Sequence, residues 1–163
     1  MSLTTNKNYL QPTGFKFVID RRNYPNLEFF AQSVVHPGAS VSPVELNVPR
    51  VSQIALAGDK ITYGSLTLDV IVDEDMESYK EFQNWLERTV NDKQNNSTTS
   101  PEPSTSADIS LLIMSSHNNK NNTIKYNDCV PTEIGSLNLA SNTGDVAYAT
   151  FSVSFRFTTF EIK

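Results

Sequence analysis

The chain contains a single cysteine, Cys129. That excludes an internal disulfide framework and a thiolate metal cluster, and it is compatible with assembly in a reducing compartment. Beside Val130 near a strand end, its thiol reads as a small buried hydrophobe. Histidine is almost as scarce. His36 precedes Pro37–Gly38 in a turn, and His117 opens the polar stretch His117–Asn122. Neither has a carboxylate at metal-motif spacing, so no catalytic or metal role is expected of either. No run approaches eighteen apolar residues, so no membrane-spanning helix is expected. The first ten residues, MSLTTNKNYL, hold no apolar run and predict no signal peptide. Positive charge is in the minority, with 13 Lys and Arg against 18 Asp and Glu and a net charge of −5. Such a chain is not built to grip a phosphate backbone by charge. Gly58–Asp59–Lys60 has no glycine-rich run before its lysine and is not a phosphate loop. Asp73, Glu74, Asp75 and Glu77 lack calcium-loop spacing and suit the start of a helix better. No catalytic, cofactor-binding or metal-binding residue is predicted, and no cofactor.

What the sequence does have is alternation. In Ala147–Phe160, AYATFSVSFRFTTF, the residues Ala149, Phe151, Val153, Phe155 and Phe157 fall on one side. Thr150, Ser152, Ser154, Arg156 and Thr158 fall on the other. This period of two predicts a long strand with one apolar and one polar face, about 36 Å over roughly eleven residues. Phe15, Phe17 and Ile19 alternate in the same way, as do Leu66, Leu68, Val70 and Val72. Arg21–Asn26 reads as a turn, and Leu27–Val35 as a strand returning from Phe15–Asp20 in a hairpin. Val44, Leu46 and Val48, bracketed by Pro43 and Pro49, read as a short edge segment. Ile109–Met114, Thr123–Val130 and Ile134–Leu139 are further strands, with Pro131 ahead of the last.

One segment changes period. In Asp73–Val90, Met76, Tyr79, Phe82, Leu86 and Val90 form a helical stripe, with Trp85 at its border. Asp73 is placed to cap the helix, and Arg88 sits in its last turn, where a cation is favoured. Residues Asn91–Ala107 have almost nothing to bury and predict an exposed, flexible loop. The total is a mainly β, single-domain chain over residues 1–163, with about seven or eight strands and one helix.

Three quoted stretches carry a resemblance. Leu56–Tyr63 reads LAGDKITY. Ser65–Glu87 reads SLTLDVIVDEDMESYKEFQNWLE, with Phe82 and Trp85 as an F-x-x-W pair. Val130–Phe157 holds Pro131, Thr132, Gly135 and Leu137 before the alternating strand. Their order resembles the tail tube protein family of contractile-tailed bacteriophages, which is similar to the tube proteins of type VI secretion and contractile bacteriocins. The weakest part of the match is Met1–Gln53, and the Ser/Thr/Pro-rich stretch Asn91–Ala107 departs from the pattern.

The resemblance implies a small open antiparallel β-barrel or sandwich with a flanking helix. It implies a structural protein of the virion tail, assembled in the host cytoplasm, whose six-fold rings stack head-to-tail. The expected partners are further copies, the tail sheath, baseplate and tail terminator proteins, and tape measure protein and DNA in the lumen. Within that frame the polar residues Ser152, Ser154 and Arg156 are expected to face the lumen. Asp20, Asp69 and Asp145 are expected to keep the wall negative or neutral. Two alternatives carry other roles: a tube-initiating baseplate component of the same fold, and a β-sandwich binding module. Most Phe residues fall at core-facing positions, which counts against the second.

Overall fold

The computed structural model of the chain describes residues 9–46, 54–91, 104–139 and 148–163. Its longest strand is β9 (Lys120–Ile134), and the other large elements are arranged about it. Along its first half β9 pairs with β8 (Ala107–Met114) on one side and β11 (Thr159–Ile162) on the other. Along its second half it pairs with β10 (Thr150–Arg156). Beyond β8 lies β1 (Phe15–Val18), and beyond β10 lie β7 (Leu66–Ile71) and then β2 (Ala31–Val35). All these pairings are antiparallel and make one seven-stranded sheet.

The sheet bends where β9 passes from one half to the other. Asp128 has φ 55°, a left-handed conformation that Asp tolerates better than most residues. The ladder to β8 slips there, between Ala107 and Ile109. One core then fills the space between the two halves. Phe17, Ile109, Leu111, Ile124 and Tyr126 face it from one half. Leu66, Leu68, Val70, Phe151, Val153 and Phe155 face it from the other. The strands β1 and β2 end the sheet and do not pair, so the barrel stays open on that side.

Helix α2 (Glu77–Asn91) packs on this core through Phe82 and Trp85, both fully buried. Phe155 meets both rings, at 5.5 and 5.4 Å between centroids. Trp85 also stacks on Tyr24 at 4.3 Å, and its Nε1 donates to the Thr105 carbonyl at 2.8 Å. The buried side of the helix is therefore centred on Ser78, Phe82 and Trp85. Met76 and Val90 are exposed and do not belong to it, and Trp85 is its centre rather than its border. The indole reaches the core because its one polar atom has a partner.

Asp73 caps α2 from outside. Its carboxylate accepts from the backbone N–H of Glu77 at 3.1 Å and of Ser78 at 3.0 Å, and the Ser78 hydroxyl lies 2.8 Å away. Partial burial pushes the Asp73 carboxyl up, but the hydrogen bonds from Ser78 and Glu77 outweigh it and hold the group below the usual range. A lowered carboxyl contributes stability that is present above the unfolded pKa, about 4, and is lost as pH falls through the folded value. Asp73→Ala is expected to cost about 0.5–2 kcal/mol at pH 7. It should also flatten the loss of stability below pH 4, and urea unfolding across pH 7 to 3 measures both effects.

Several sequence expectations are corrected. The hairpin between Phe15–Asp20 and Leu27–Val35 does not form. Pro25–Phe29 is a helical turn, α1, with Pro25 in its first turn and Leu27 fully buried. Glu81 of α2 accepts from the N–H groups of Asn26 and Leu27 at 3.1 Å each, so the free donors of the turn are satisfied. Thr123–Val130 and Ile134–Leu139 are not two strands. β9 runs through Pro131, and Gly135–Leu139 lies outside any strand. The proline is tolerated because the ladder to β10 slips there, leaving Thr132 as an extra residue whose hydroxyl donates to the Ser154 carbonyl at 3.1 Å. The terminal strand is interrupted at Phe157–Thr158 into β10 and β11, which continue in the same register along β9. Its start at Ala147 lies outside the described residues, as do residues 92–103 of the expected loop. Asn91 belongs to α2, and Ala107 to β8.

Candidate functional site

Two features of the fold are not accounted for by the core. The first is the outer face of β2, β7, β10 and the end of β9. Residues opposite one another in these strands lie on the same side, so the register assembles the face. Ser152 lies across from Asp69, and Asp69 across from Ser33. Ser154 lies across from Thr67 on one side and Glu133 on the other. Arg156 lies across from Val130. The Ser33 hydroxyl donates to Asp69 Oδ2 at 2.5 Å, which fixes that carboxylate flat along the row. At the end of the row Gly135 donates its N–H to the Ser152 carbonyl at 2.6 Å. A Cβ at Gly135 would lie against the Ser152 hydroxyl, which would have to turn aside, and 3.1 Å from the Ser152 carbonyl oxygen, so glycine lets the two strands approach closely there. The face is built mainly of Ser and Thr and carries Asp69 and Glu133 against Arg156.

Four of the six residues expected to line a lumen, Ser152, Ser154, Arg156 and Asp69, therefore share this face. Asp20 does not join them. It closes the turn after β1, where its carboxylate accepts from the Arg22 N–H at 3.1 Å and from Asn23 Nδ2 at 2.6 Å. Asp145 lies outside the described residues. Ser33 and Glu133 were missed by the sequence reading, for separable reasons. Ser33 was assigned to a hairpin with the wrong partner. Glu133 was hidden by the break assumed at Pro131.

The second feature is an arm. Beyond β2 and β7 the chain continues as a two-stranded ribbon, β3 (Ala39–Val41) with β6 (Ile61–Tyr63), then β4 (Val44–Leu46) with β5 (Ile54–Leu56). The register carries on from the body: Val35 faces Thr67, the Gly64 N–H donates to Gly38 O at 3.0 Å, and Ala39 faces Tyr63. From Ala39 to Leu46 the outgoing strand has a contour length of about 26 Å at ~3.3 Å per residue. Its root is held by a cluster of tilted and edge-on rings. Tyr63 lies 5.5 Å from Phe157 and 5.3 Å from Phe160, and His36 lies edge-on to Phe160 at 5.1 Å. The remainder is bare: Val41, Val44, Leu46, Leu56 and Ile61 are all about half exposed. A lone two-stranded ribbon is marginally stable in water, and apolar side chains on both of its strands call for a cover.

Among the described residues no catalytic set converges. Burial pushes the Cys129 thiol up to about 12, which disfavours the reactive thiolate at neutral pH. His36 Nδ1 lies 2.7 Å from the Tyr126 hydroxyl, and burial holds its pKa low. Among the described residues no three His, Cys, Asp or Glu side chains come together to hold a metal. No described helix is long and apolar enough to cross a membrane.

Comparison with known proteins agrees with this arrangement. The family described as phage tail tube protein matches residues 2–163. No curated protein matches the chain. Among solved structures, a chain of the sheath–tube complex of an extracellular contractile injection system in its extended state superposes with a TM-score of 0.68 at 13% identity, covering 99% of each chain. A chain from the tube-terminating cap of the anti-feeding prophage gives 0.69 at 10% identity, covering 99% of this chain and 95% of that one. A chain from the six-fold symmetrised baseplate of the same particle gives 0.65 at 14%, covering 99% and 97%. These likenesses show a shared fold. The family match over almost the whole chain decides the identity: this chain belongs to the phage tail tube protein family, and it is a structural component of a tail tube, not an enzyme.

Proposed function

We propose that the chain is the repeating subunit of the inner tube of a contractile tail. Six copies form a ring, and rings stack head-to-tail through two unlike surfaces, so stacking continues into an open tube. The polar face built around Ser33, Asp69, Ser152 and Ser154 is the lumen wall. Tape measure protein occupies the lumen first and DNA passes through it later. The sheath surrounds the tube, and baseplate and terminator proteins close its ends. Assembly takes place in the cytoplasm of the bacterial host.

The observation that carries this reading is the arm. Its exposed apolar residues stand clear of the body's core, and neighbouring copies in a stacked tube give them a cover. Strand edges at β1 and β2, a hazard in a monomer, are likewise covered by neighbours. Negative-stain imaging of the purified protein, with and without a baseplate template, tests it. Rings and stacked tubes are the expected result. Monomers at every concentration, with the template present, would overturn the proposal.

A second expectation concerns the wall. Thr150 and Glu133 are exposed on the polar face. Replacing both with Lys should leave tubes intact and slow DNA delivery, most strongly at low salt, because each added cation binds phosphate and must release it. Delivery at the original rate across a range of salt would remove this face from the DNA path.

A further inference from the structure

The arm is not a straight ribbon. Val41 pairs with Ile61 and Val44 pairs with Leu56. Between those pairs the outgoing strand has two residues, Ser42 and Pro43, and the returning strand has four, Ala57–Gly58–Asp59–Lys60. Two surplus residues on one strand bend and twist a ribbon sharply. Pro43 suits the opposite position because it has no N–H to leave unpaired where the ladder opens.

Gly58 sits at the inside of this bend. None of the described glycines has a left-handed φ, so glycine is not there for its backbone freedom. It is there for space. A Cβ at Gly58 would overlap the Ser42 carbonyl oxygen and lie 2.9 Å from Val41 Cγ1. Backbone cannot swing aside as a side-chain tip can, so any larger residue must open the bend. Gly38, at the root of the same arm, has nothing within 4 Å of the corresponding position.

We propose that the bulge Ala57–Lys60, held closed by Gly58 on the Ser42 carbonyl, sets the angle at which Val44, Leu46 and Leu56 meet a second copy of this chain. The inference rests on the tube reading and deepens it: the bend selects the docking geometry between copies. An unbent arm carries the same apolar side chains but aims them elsewhere. The root is tied to the body by the Tyr63 and His36 contacts, so the direction of the arm beyond it depends on the bend.

Three variants test this, compared with the unaltered protein for tube formation by light scattering and negative stain. Gly58→Ala should keep the near-ultraviolet signal of the body and lower tube formation at least tenfold. Deleting Gly58 and Asp59 leaves two residues on each strand between the pairs and places no Cβ at position 58. It should give a stable, straighter arm and an equal loss of tubes. Gly38→Ala should assemble as the unaltered chain does. If the deletion variant forms tubes at the original rate and with the original spacing, the bend does not select the geometry. If Gly38→Ala fails as badly as Gly58→Ala, the arm is merely intolerant of substitution and the inference falls. An unaltered chain that never assembles overturns the tube reading itself, which separates that failure from a failure of the bend.

Discussion

Truncating Phe155 to alanine is expected to cost about 3–5 kcal/mol of stability, whereas Ser154→Ala should cost under about 1 kcal/mol. The two residues are neighbours in β10 and occupy its opposite faces. Phe155 is fully buried, edge-on to Phe82 and beside Trp85, with Pro131 opposite it in β9. The side chains around it, Phe82 and Trp85 among them, are themselves fully buried, so collapse into the space its ring would leave is only partial. Ser154 is half-buried on the outer face, and its backbone carbonyl, not its hydroxyl, accepts from Thr132. Urea unfolding of the monomeric variants measures both. Equal costs would mean that β10 is packed on both faces, and the polar face would not be available as a wall.

Replacing Val44, Leu46 and Leu56 together with serine is expected to abolish tube formation while barely changing the folding of the body. These side chains stand on the arm, away from the buried cluster. Exposed substitutions of this kind change stability by about 0.5 kcal/mol or less. In an assembled tube the same three side chains would each lose roughly 1–2 kcal/mol of burial. At about 1.4 kcal/mol per factor of ten, that weakens every contact between copies by about a hundredfold or more. Thermal unfolding and light scattering on the same samples separate the two effects. Tubes at the original concentration threshold would show that the arm is not an assembly contact.

The parts of the fold that were legible are those with one wet and one dry face. Leu66–Val72 and Phe151–Phe155 alternate because the core lies on one side only, and both are strands in the expected place. The helix was legible for the same reason, although its buried side is centred on Trp85 rather than on the Met76–Val90 stripe. Strand partners were not legible. Phe15–Val18 pairs with Ser110–Ile113, far along the chain, and nothing in the local pattern distinguishes that from a hairpin with Ala31–Val35. Pro131 misled because a proline reads as a break, and only the tertiary slip in the ladder shows why it is not one here. Of the expected wall, Ser152, Ser154, Arg156 and Asp69 came from strand alternation and share a face. Asp20 was chosen by its flanking position, which carries no information about which side of the sheet a turn will close over. The arm was invisible as an arm. Alternation says that a strand has two faces, but not whether anything of the same chain covers one of them.

The central position of β10 has a consequence for the order in which the molecule can form. β7 is made early and lies between β2 and β10 in the sheet. Until Thr150–Arg156 has been synthesised, the β2–β7 hairpin has no neighbour on its other side and no Phe151, Val153 or Phe155 to pack on. Pairing Thr150 with Ile71 closes a long stretch of chain, a non-local contact of the kind that slows folding. The hairpin that carries the arm is thus secured only after translation has passed β10. In the tube proposed above, a nascent chain would therefore lack a firmly rooted arm, and polymerisation would fall to the pool of finished subunits.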